Sequence, residues 1–386
     1  MKKTKFIDYY ILIPFIILSV TGVLMVYSAS IYLALSEFDN PMHYMIRQSI
    51  FVGISFFVTS FMFFLPTKIL KSTKIIMLAV FGIMALLIYL IFFGEEINGA
   101  KGWIDLGPIG LQPAEFTKII VIWYFASVFS KKQSLIVNNF RKFIVKPLSL
   151  VVSIIFLIVI QPDVGGALIV LLVAFVMIIS SGVSTKISFF FIGLGISGIS
   201  AFFAAVIHFG EKMFPHTYQY NRFLAFWDPF SLSESTGLQL INSYYALSRG
   251  GLFGVGIGES VQKTGYLPEP YTDFIVSIVG EELGLVGIGA LILLLAFLIL
   301  RIFLVGIRAK SPFNSLVSIG VASLLLIQTS INLGGVLGLM PVTGVTFPFI
   351  SYGGSSVLTI SIGIGAVLNV SAQEKYIRQQ NNHPLK

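Results

Sequence analysis

Residues 265–287 read GYLPEPYTDFIVSIVGEELGLVG, and the organisation of the chain follows from this stretch. It opens with polar residues and prolines and runs directly into an apolar segment that ends at Arg301. Four acidic residues lie within fourteen positions of it, namely Glu269, Asp273, Glu281 and Glu282. Charged groups in a hydrophobic segment are costly to bury and commonly mark a functional site, so this stretch is the first candidate for one.

The composition indicates the class of protein. Hydrophobic residues make up 56% of the 386-residue chain, charged residues only 11%, and the mean hydropathy is +0.92. A soluble protein could not bury this much apolar surface, so the sequence predicts an all-α polytopic membrane protein. A membrane β-barrel is excluded because its strands would alternate between apolar and polar residues. The chain has no Cys, and its four His residues lack the spacing of metal ligands, so neither disulfides nor a zinc site is expected.

Continuous apolar segments predict about ten transmembrane helices in a single membrane domain, residues 1–386. The segments lie at residues 11–26, 46–65, 75–94, 114–130, 144–160, 164–181, 187–207, 272–302, 314–338 and 350–370. The basic N-terminus resembles the start of a signal peptide, but a good cleavage site does not follow, so the first helix is expected to be retained. An even number of helices places both termini on one side of the membrane.

The distribution of charge predicts the orientation. With the termini in the cytoplasm, most of the 25 basic residues fall in short inner loops, as the positive-inside rule requires. The net charge of +8 then reflects topology and contact with anionic lipids, and gives no reason to expect nucleic-acid binding. The outer face carries the polar segments 95–112 and 339–353 and a large extracellular loop, 208–271, between the seventh and eighth helices. Function is therefore expected on the outer face of the cytoplasmic membrane.

Two glycine patterns imitate nucleotide-binding motifs. Gly193, Gly195 and Gly198 spell GxGxxG, but they lie inside a predicted membrane helix without a preceding strand, so helix packing is the expected role. The glycine-rich run 250–258 lacks the Lys-Ser/Thr of a phosphate-binding loop. It predicts tight turns or re-entrant backbone near the outer surface.

A second set of polar residues lies at the ends of the fourth, fifth and sixth predicted helices. Glu115 and Lys118 are three residues apart, so they share a helix face and can form an ion pair. Asp163 is expected either to cap the sixth helix or to join these two in a charged cluster, and both roles are compatible. Trp103, in a glycine-rich loop, is expected to anchor at the membrane interface or to contact a sugar or lipid chain.

The stretch quoted first also predicts which of its acids is chemically active. On a helix that begins near Thr272, Asp273 shares one face with Ser277, Gly280 and Gly284, so it would look along a groove of small residues.

Glu281 and Glu282 lie about 12 to 14 Å deeper along such a helix and are expected to be structural, buried and hydrogen-bonded. Asp273 lies at the membrane edge, where water and a lipid-borne headgroup can meet, and is the better candidate for catalysis.

Four blocks of sequence, in this order, resemble the signature blocks of the SEDS polymerases, the FtsW and RodA group of bacterial cell-wall synthases. The blocks are GAKGWIDLGPIGLQPAEFTK (99–118), QPDVGGALIV (161–170), GESVQKTGYLPEPYTDFIVSIVGEELGLVG (258–287) and MPVTGVTFPFISYGGSS (340–356). The resemblance covers essentially the whole chain. The segment RFLAFWDPF (222–230) is more similar to Gram-positive FtsW than to RodA.

This resemblance implies a peptidoglycan glycosyltransferase that polymerises lipid II during cell division and releases undecaprenyl pyrophosphate. It implies a class B penicillin-binding protein and other divisome proteins as partners. It assigns the essential acid of the family to Asp273, with Glu269 from the same block. The polar cluster of the family falls on Glu115, Lys118 and Asp163, and its loop tryptophan on Trp103. Most members have His where this chain has Tyr271, which argues against a histidine base at that position.

The family reaction inverts the configuration of the donor sugar in one displacement, so it needs a general base and stabilisation of the departing pyrophosphate. Asp273 is the expected base. The candidate cations are Lys118, Arg222, Arg249 and Lys263, and a divalent cation, Mg²⁺ or Mn²⁺, at Asp273 is a further candidate. No organic cofactor is expected. An elongation polymerase of the RodA type and a lipid II flippase remain alternatives, and the asymmetry of the polar loops favours chemistry on the outer face over transport.

Overall fold

The structure is a computed structural model that describes residues 3–97, 100–105, 110–213, 218–233 and 237–382. Parts of the predicted loops 95–112 and 208–271 therefore lie outside the described residues.

Twelve helices and three short strands make up the described chain. The helices are α1 (Tyr9–Phe38), α2 (His43–Phe64), α3 (Thr67–Leu70), α4 (Thr73–Phe93), α5 (Pro113–Ile160), α6 (Val164–Ser180), α7 (Thr185–Met213), α8 (Tyr218–Trp227), α9 (Leu238–Gly250), α10 (Ile275–Arg308), α11 (Pro312–Val336) and α12 (Gly354–Asn382). The strands are β1 (Glu95–Ile97), β2 (Ala100–Asp105) and β3 (Gly110–Leu111), paired antiparallel in the order β1-β2-β3. Short 3₁₀ turns at Lys3–Phe6 and Phe230–Leu232 and a π-helical turn at Gln262–Tyr266 complete the set.

The multi-pass membrane architecture is confirmed. Seven of the described helical segments are long and apolar enough to cross a membrane: α1, α2, α4, α10, α11, most of α12, and the second part of α5 from Phe143. α6 and the first part of α7 are apolar but shorter. α11 and α12 form the centre of the bundle, because 72% and 89% of their most apolar windows are buried, against 28% for α4 and 22% for α10. The total of ten spans stays a prediction.

α5 doubles back on itself. The sequence predicts two helices here, whereas the structure assigns one of 48 residues, which would be about 72 Å long if straight. Its two ends nevertheless meet, because Gln112 Nε2 donates a hydrogen bond to Asp163 Oδ2 at 3.2 Å. Lys131, between them, contacts Thr73 at the start of α4. The chain therefore crosses the bundle twice within α5, in opposite directions, as two separate helices would.

Both termini lie at one end of the bundle, as predicted. Lys3 Nζ donates to Asn369 Oδ1 of α12 at 3.3 Å. Asp8, just before α1, forms ion pairs with Arg301 at 2.7 Å and with Lys375 at 3.2 Å. We call this the terminal end, and the opposite end, where α5 and α6 meet and α10 begins, the site end.

Candidate active site

Asp273 lies in the turn before α10, at the site end. The sequence predicts that Asp273 looks along a helical groove of small residues, and this is wrong in two respects. The helix begins at Ile275, so Asp273 is not part of it. The small residues are covered by α9, since Ser277 Oγ and Ser243 Oγ are hydrogen-bonded at 2.8 Å. A Cβ on Gly250 of α9 would lie 1.9 Å from a backbone carbonyl oxygen of α10, so the two helices are in direct backbone contact.

Two neighbouring elements hold the backbone of the Asp273 turn. Asn332 of α11 donates through Nδ2 to the carbonyl oxygens of Asp273 at 2.8 Å and Val345 at 2.7 Å. Ser351 Oγ donates to the carbonyl oxygen of Thr272 at 2.6 Å. Because backbone groups on both sides are fixed, the direction of the Asp273 side chain is set before any ligand binds.

Glu269 contributes to the same turn from within the chain. It adopts a left-handed backbone conformation with φ of 52°, which is uncommon for a residue other than glycine. Its carboxylate accepts a hydrogen bond from Thr272 Oγ1 at 3.0 Å, and its carbonyl oxygen accepts from the backbone N–H of Phe274 at 3.4 Å. Glu269 therefore shapes the turn that presents Asp273.

Tyr271, the residue that replaces the usual histidine, is packed against aromatic rings. Its ring centroid lies 4.5 Å from that of Tyr44 and 5.7 Å from that of Tyr352. Burial and the hydrogen bond with Tyr44 raise the pKa of Tyr271 far above its usual value. The phenol therefore stays protonated near neutral pH and cannot serve as a base, which agrees with the sequence expectation.

The carboxylate of Asp273 is half-buried and is not neutralised by a direct ion-pair partner among the described residues. Burial raises the pKa of Asp273 to about 6, the charge of Arg222 opposes this rise, and the charge of Glu269 adds to it. Among the described residues, no ion pair within 4.0 Å involves Asp273. A carboxylate with a pKa near 6 is mostly ionised at neutral pH and is still basic enough to take a proton in a reaction.

Arg222 of α8 is the predicted cation that faces Asp273. Its Nη1 donates to the carbonyl oxygen of Val342 at 3.2 Å. A Cβ on Gly344 would lie 3.3 Å from this Nη1 and 3.5 Å from Asp273 Oδ2. The guanidinium and the carboxylate thus converge on one point above the Gly344 backbone.

Glu115, Lys118 and Asp163, the predicted charged cluster, lie where α5 and α6 meet. Lys118 is buried and forms a short ion pair with Glu115. Asp163 caps α6, accepting from Gly166 N–H at 2.7 Å, and also accepts from Gln112. Burial raises the pKa of Asp163, while the charge of Lys118 opposes the rise. The capping role predicted for Asp163 is confirmed, and its part in a charged cluster with Glu115 and Lys118 stays a prediction supported by their electrostatic effect on its carboxyl.

The segment 339–353, here called the divider loop, lies between this cluster and Asp273. Next to Asp163, a Cβ on Gly165 would lie 2.6 Å from the carbonyl oxygen of Thr343, so α6 packs directly on the loop. The next residue of the loop, Gly344, faces Asp273. The structure therefore brings the two predicted sets of polar residues to opposite sides of one loop.

Lys263, one of the candidate cations for the pyrophosphate, has no ion pair with Asp273 among the described residues. It is buried and forms an ion pair with Glu282 at 2.6 Å. Ser28 of α1 donates to the same carboxylate at 2.7 Å and accepts from Lys263 Nζ at 3.1 Å. The charge of Lys263 compensates the buried carboxylate of Glu282, which lies about 10 Å along α10 from the start of that helix at Ile275.

Arg249 also forms an ion pair with a buried acidic residue, Glu281. Its Nη1 contacts Glu281 Oε1 at 2.7 Å. Glu281 also accepts hydrogen bonds from the Ser260 hydroxyl and from the backbone N–H groups of Val261 at 3.0 Å and Gln262 at 3.3 Å. The prediction that Glu281 and Glu282 are buried, hydrogen-bonded and structural is confirmed.

The glycine-rich run 250–258 packs back against α10, as expected for re-entrant backbone. α10 is broken at Gly284, with φ of 66° and ψ of −170°. The interruption is filled by residues 251–256: Gly251 O accepts from Leu285 N–H at 2.9 Å, and Val255 N–H donates to Glu281 O at 2.9 Å. The backbone groups released by the break thus find partners in the protein, as they must at membrane depth.

Trp103 lies in a small sheet and not in a flexible loop. It is half-buried in β2, pairs with Glu95 of β1, and would lie 3.4 Å from a Cβ on Gly110 of β3. Of the three glycines of α7, Gly195 faces α6, because a Cβ placed on it would lie 3.9 Å from the ring of Phe175. Nothing described lies within 4 Å of a Cβ placed on Gly193 or Gly198, so helix packing is seen at one of the three positions.

The described residues contain no group of three or more His, Asp or Glu side chains that could hold a metal ion. A divalent cation at Asp273 would need most of its ligands from substrate phosphates and water, which is a common arrangement for Mg²⁺.

Comparison with known proteins places this chain in a family. The model of the FtsW/RodA/SpoVE family, described as "Cell cycle protein", matches residues 9–376. A relative from Lactococcus lactis, named "Probable peptidoglycan glycosyltransferase FtsW", is 42% identical over 99% of this chain and 97% of its own length. One of the same name from Bacillus subtilis is 38% identical over 97% of this chain and 93% of its own.

The fold is similar to a solved structure as well. A chain from a study titled "Structural coordination of polymerization and crosslinking by a peptidoglycan synthase complex" superposes with a TM-score of 0.75 at 27% identity, covering 95% of this chain and 98% of that one. The match of sequence, length and fold leads to one conclusion. This chain belongs to the FtsW/RodA/SpoVE family of cell cycle proteins.

Proposed function

We propose that this protein is a peptidoglycan glycosyltransferase that polymerises lipid II during cell division. The observation that carries the proposal is Asp273, a carboxylate at the site end with a pKa of about 6. It has no ion-pair partner in the described structure, whereas Glu281 and Glu282 of the same stretch each form an ion pair, and Glu281 also accepts backbone hydrogen bonds.

The reaction assigned to Asp273 is general-base catalysis. The 4-hydroxyl of the acceptor sugar attacks the anomeric carbon of the donor, and its proton passes to the Asp273 carboxylate. The bond from that carbon to the pyrophosphate oxygen breaks, and undecaprenyl pyrophosphate leaves with the bonding electrons. A positioned base of this kind contributes about 10² to 10⁴ in rate.

The charged cluster across the divider loop is proposed to bind the donor. Lys118 is a candidate for stabilising the departing pyrophosphate, because its charge acts on Asp163 next to the divider loop, and its ion pair with Glu115 would open to bind the phosphate. Mg²⁺ or Mn²⁺, held by Asp273 and substrate phosphates, would add positive charge at the leaving group. Loss of activity with EDTA, restored by either ion, would support that part of the proposal, and full activity in EDTA would remove it.

The membrane orientation and partners complete the proposal. The terminal end, with its basic residues, is placed in the cytoplasm and the site end on the outer face, as the positive-inside rule favours. A class B penicillin-binding protein is proposed as the transpeptidase partner, because the similar solved chain comes from a synthase that couples polymerisation to crosslinking. Divisome proteins are expected as further partners, since the similar sequences are named FtsW.

The test is a polymerisation assay. Purified wild-type protein and Asp273→Asn, each with the transpeptidase partner, are incubated with lipid II and Mg²⁺ or Mn²⁺, and the products are separated on a gel. Glycan ladders from the wild type alone support the proposal. No ladder from either protein, together with movement of lipid II across liposome membranes, would instead support a flippase.

A further inference from the structure

Gly344 of the divider loop lies where Arg222 and Asp273 converge. Gly344 has φ of 74°, and a Cβ there would lie 3.3 Å from Arg222 Nη1 and 3.5 Å from Asp273 Oδ2. Since both atoms lie within 3.5 Å of one point, they are at most about 7 Å apart. A ligand oxygen between them can therefore lie close to the hydrogen-bond distance of about 3 Å from the guanidinium and the carboxylate at the same time.

The chemistry of these two groups selects the ligand atom. Arg222 can only donate hydrogen bonds, and an ionised Asp273 can only accept them. A phosphate oxygen would suit Arg222 but would be repelled by the carboxylate. A hydroxyl group suits both, because it donates its proton to one and accepts a hydrogen bond from the other.

We propose that Gly344 and Arg222 form the binding position for the attacking acceptor hydroxyl, with the hydroxyl oxygen held between Arg222 and Asp273. This rests on the proposed function and changes the role of Arg222, which the sequence suggested as a partner of the pyrophosphate. Arg222 would stabilise the negative charge that develops on the oxygen as Asp273 removes its proton. The guanidinium keeps all its own protons, and the lone pair of the oxygen forms the new glycosidic bond.

The need for glycine follows from the same geometry. A Cβ at position 344 would contact both Arg222 and Asp273 and would crowd a hydroxyl held between them, and the left-handed backbone would also be strained. A control must reproduce the strain without filling the site. Gly258 has φ of 90°, is exposed, and nothing lies within 4 Å of a Cβ placed on it.

The experiment compares Gly344→Ala with Gly258→Ala in the complex with the transpeptidase partner. Initial rates of glycan formation are measured over a range of lipid II concentrations, and thermal stability is measured in parallel. We expect Gly344→Ala to lose about 100-fold or more in kcat, because displacing a reacting atom by about 1 Å has an effect of this size. Gly258→Ala should keep the wild-type rate, with a comparable small loss of thermal stability.

Arg222→Gln provides a second test if Gly344→Ala does not fold. Removing this donor to the attacking oxygen should lower kcat by about 10² to 10³, whereas Arg222→Lys keeps a cationic donor and should retain more of the wild-type rate. If Arg222 were only structural, the rate of each variant would instead follow its loss of thermal stability.

The outcomes separate the two proposals. Glycan formation by the wild type, with Gly344→Ala as active as Gly258→Ala or with Arg222→Gln at the wild-type kcat, overturns the acceptor site alone. Absence of glycan from the wild type overturns the proposed function itself.

Discussion

Asp273 and the neighbouring pair Glu281 and Glu282 lie within ten residues of each other, but their carboxylates have different partners in the structure. Glu281 and Glu282 are each matched by a cation and by further donors, including the Ser28 hydroxyl and two backbone N–H groups. Asp273 has its backbone fixed by Asn332 but lacks a direct ion pair in the described chain.

The difference separates two carboxylates whose charges are compensated within the fold from one that is available for the proposed chemistry. A buried carboxylate that is paired and hydrogen-bonded recovers much of its desolvation cost. A carboxylate left without a partner does not, so its pKa rises and it can exchange a proton near neutral pH.

The largest effect expected from this comparison is the loss of activity in Asp273→Asn. Removing the base should lower the rate of glycan formation by about 10² to 10⁴. A variant that kept most of the wild-type rate in the gel assay would show that Asp273 is not the base.

The stability of Asp273→Asn should not fall with its activity. In the folded state the pKa of Asp273 is raised from 3.8 to about 6, so the folded state binds more protons than the unfolded state in this window. The free energy of unfolding therefore falls as pH rises through it. Asp273→Asn avoids this loss and should be at least as stable as the wild type near neutral pH, as thermal unfolding can check.

Glu282→Leu is expected to do the reverse and lower stability. It leaves Lys263 buried without its partner, and breaking a buried ion pair costs about 3 to 5 kcal/mol. Purified yield and thermal unfolding in detergent would measure the loss.

The double variant Lys263→Met/Glu282→Leu is the matched control. Replacing both charges by apolar side chains should recover most of the stability, because an apolar pair of similar size is often no worse than the ion pair. If the double variant were stable but inactive, the pair would have a role in the reaction and the contrast with Asp273 would fail.

A fall in the wild-type rate of glycan formation at low pH is the next expected effect in size. The base must be ionised, so the rate should be nearly constant above pH 6 and fall by about tenfold per pH unit well below it. Measurements of initial rate against pH would check this, and a midpoint near the ordinary value for aspartate would contradict the role of burial.

The smallest effect is expected for Ser28→Ala. This change removes one hydrogen bond to Glu282 and leaves the Lys263 pair in place. A hydrogen bond to a charged group contributes about 1.5 to 3 kcal/mol, so the loss of stability should be smaller than for Glu282→Leu, with activity retained. A loss as large as that of Glu282→Leu would mean that Ser28, and not Lys263, is what allows Glu282 to be buried.

The sequence predicted the membrane class, the meeting of α5 and α6 near Glu115 and Asp163, and the burial of Glu281 and Glu282 with hydrogen-bond partners; the catalytic role of Asp273 stays a prediction. These follow from local rules, namely apolar segment length, helical spacing and the cost of buried charge. The partners of Lys263 and Arg249 depend on how the segment before Asp273 folds against α10, and spacing carries no information on that.

The other wrong or absent predictions also depend on contacts between segments that are distant in the sequence. The start of α10 depends on the turn made by Glu269, and the cover over Ser277 depends on α9. Asn332 and Ser351, which fix the Asp273 turn, were missed. An amide side chain in an otherwise apolar segment such as α11 is a signal that could have identified Asn332, because a buried polar group requires a partner.

The break in α10 has a consequence for how the protein enters the membrane. Leu285 and Val286 present backbone N–H groups that no helix satisfies, and residues 251–256 supply their acceptors and donate in return. In hydrocarbon each unmatched group would cost several kcal/mol. Residues 251–256 are synthesised before α10, so the matching strand is already present when α10 leaves the ribosome. Deletions there should therefore appear as a failure of membrane insertion and a loss of protein, before any effect on the chemistry at Asp273 can be seen.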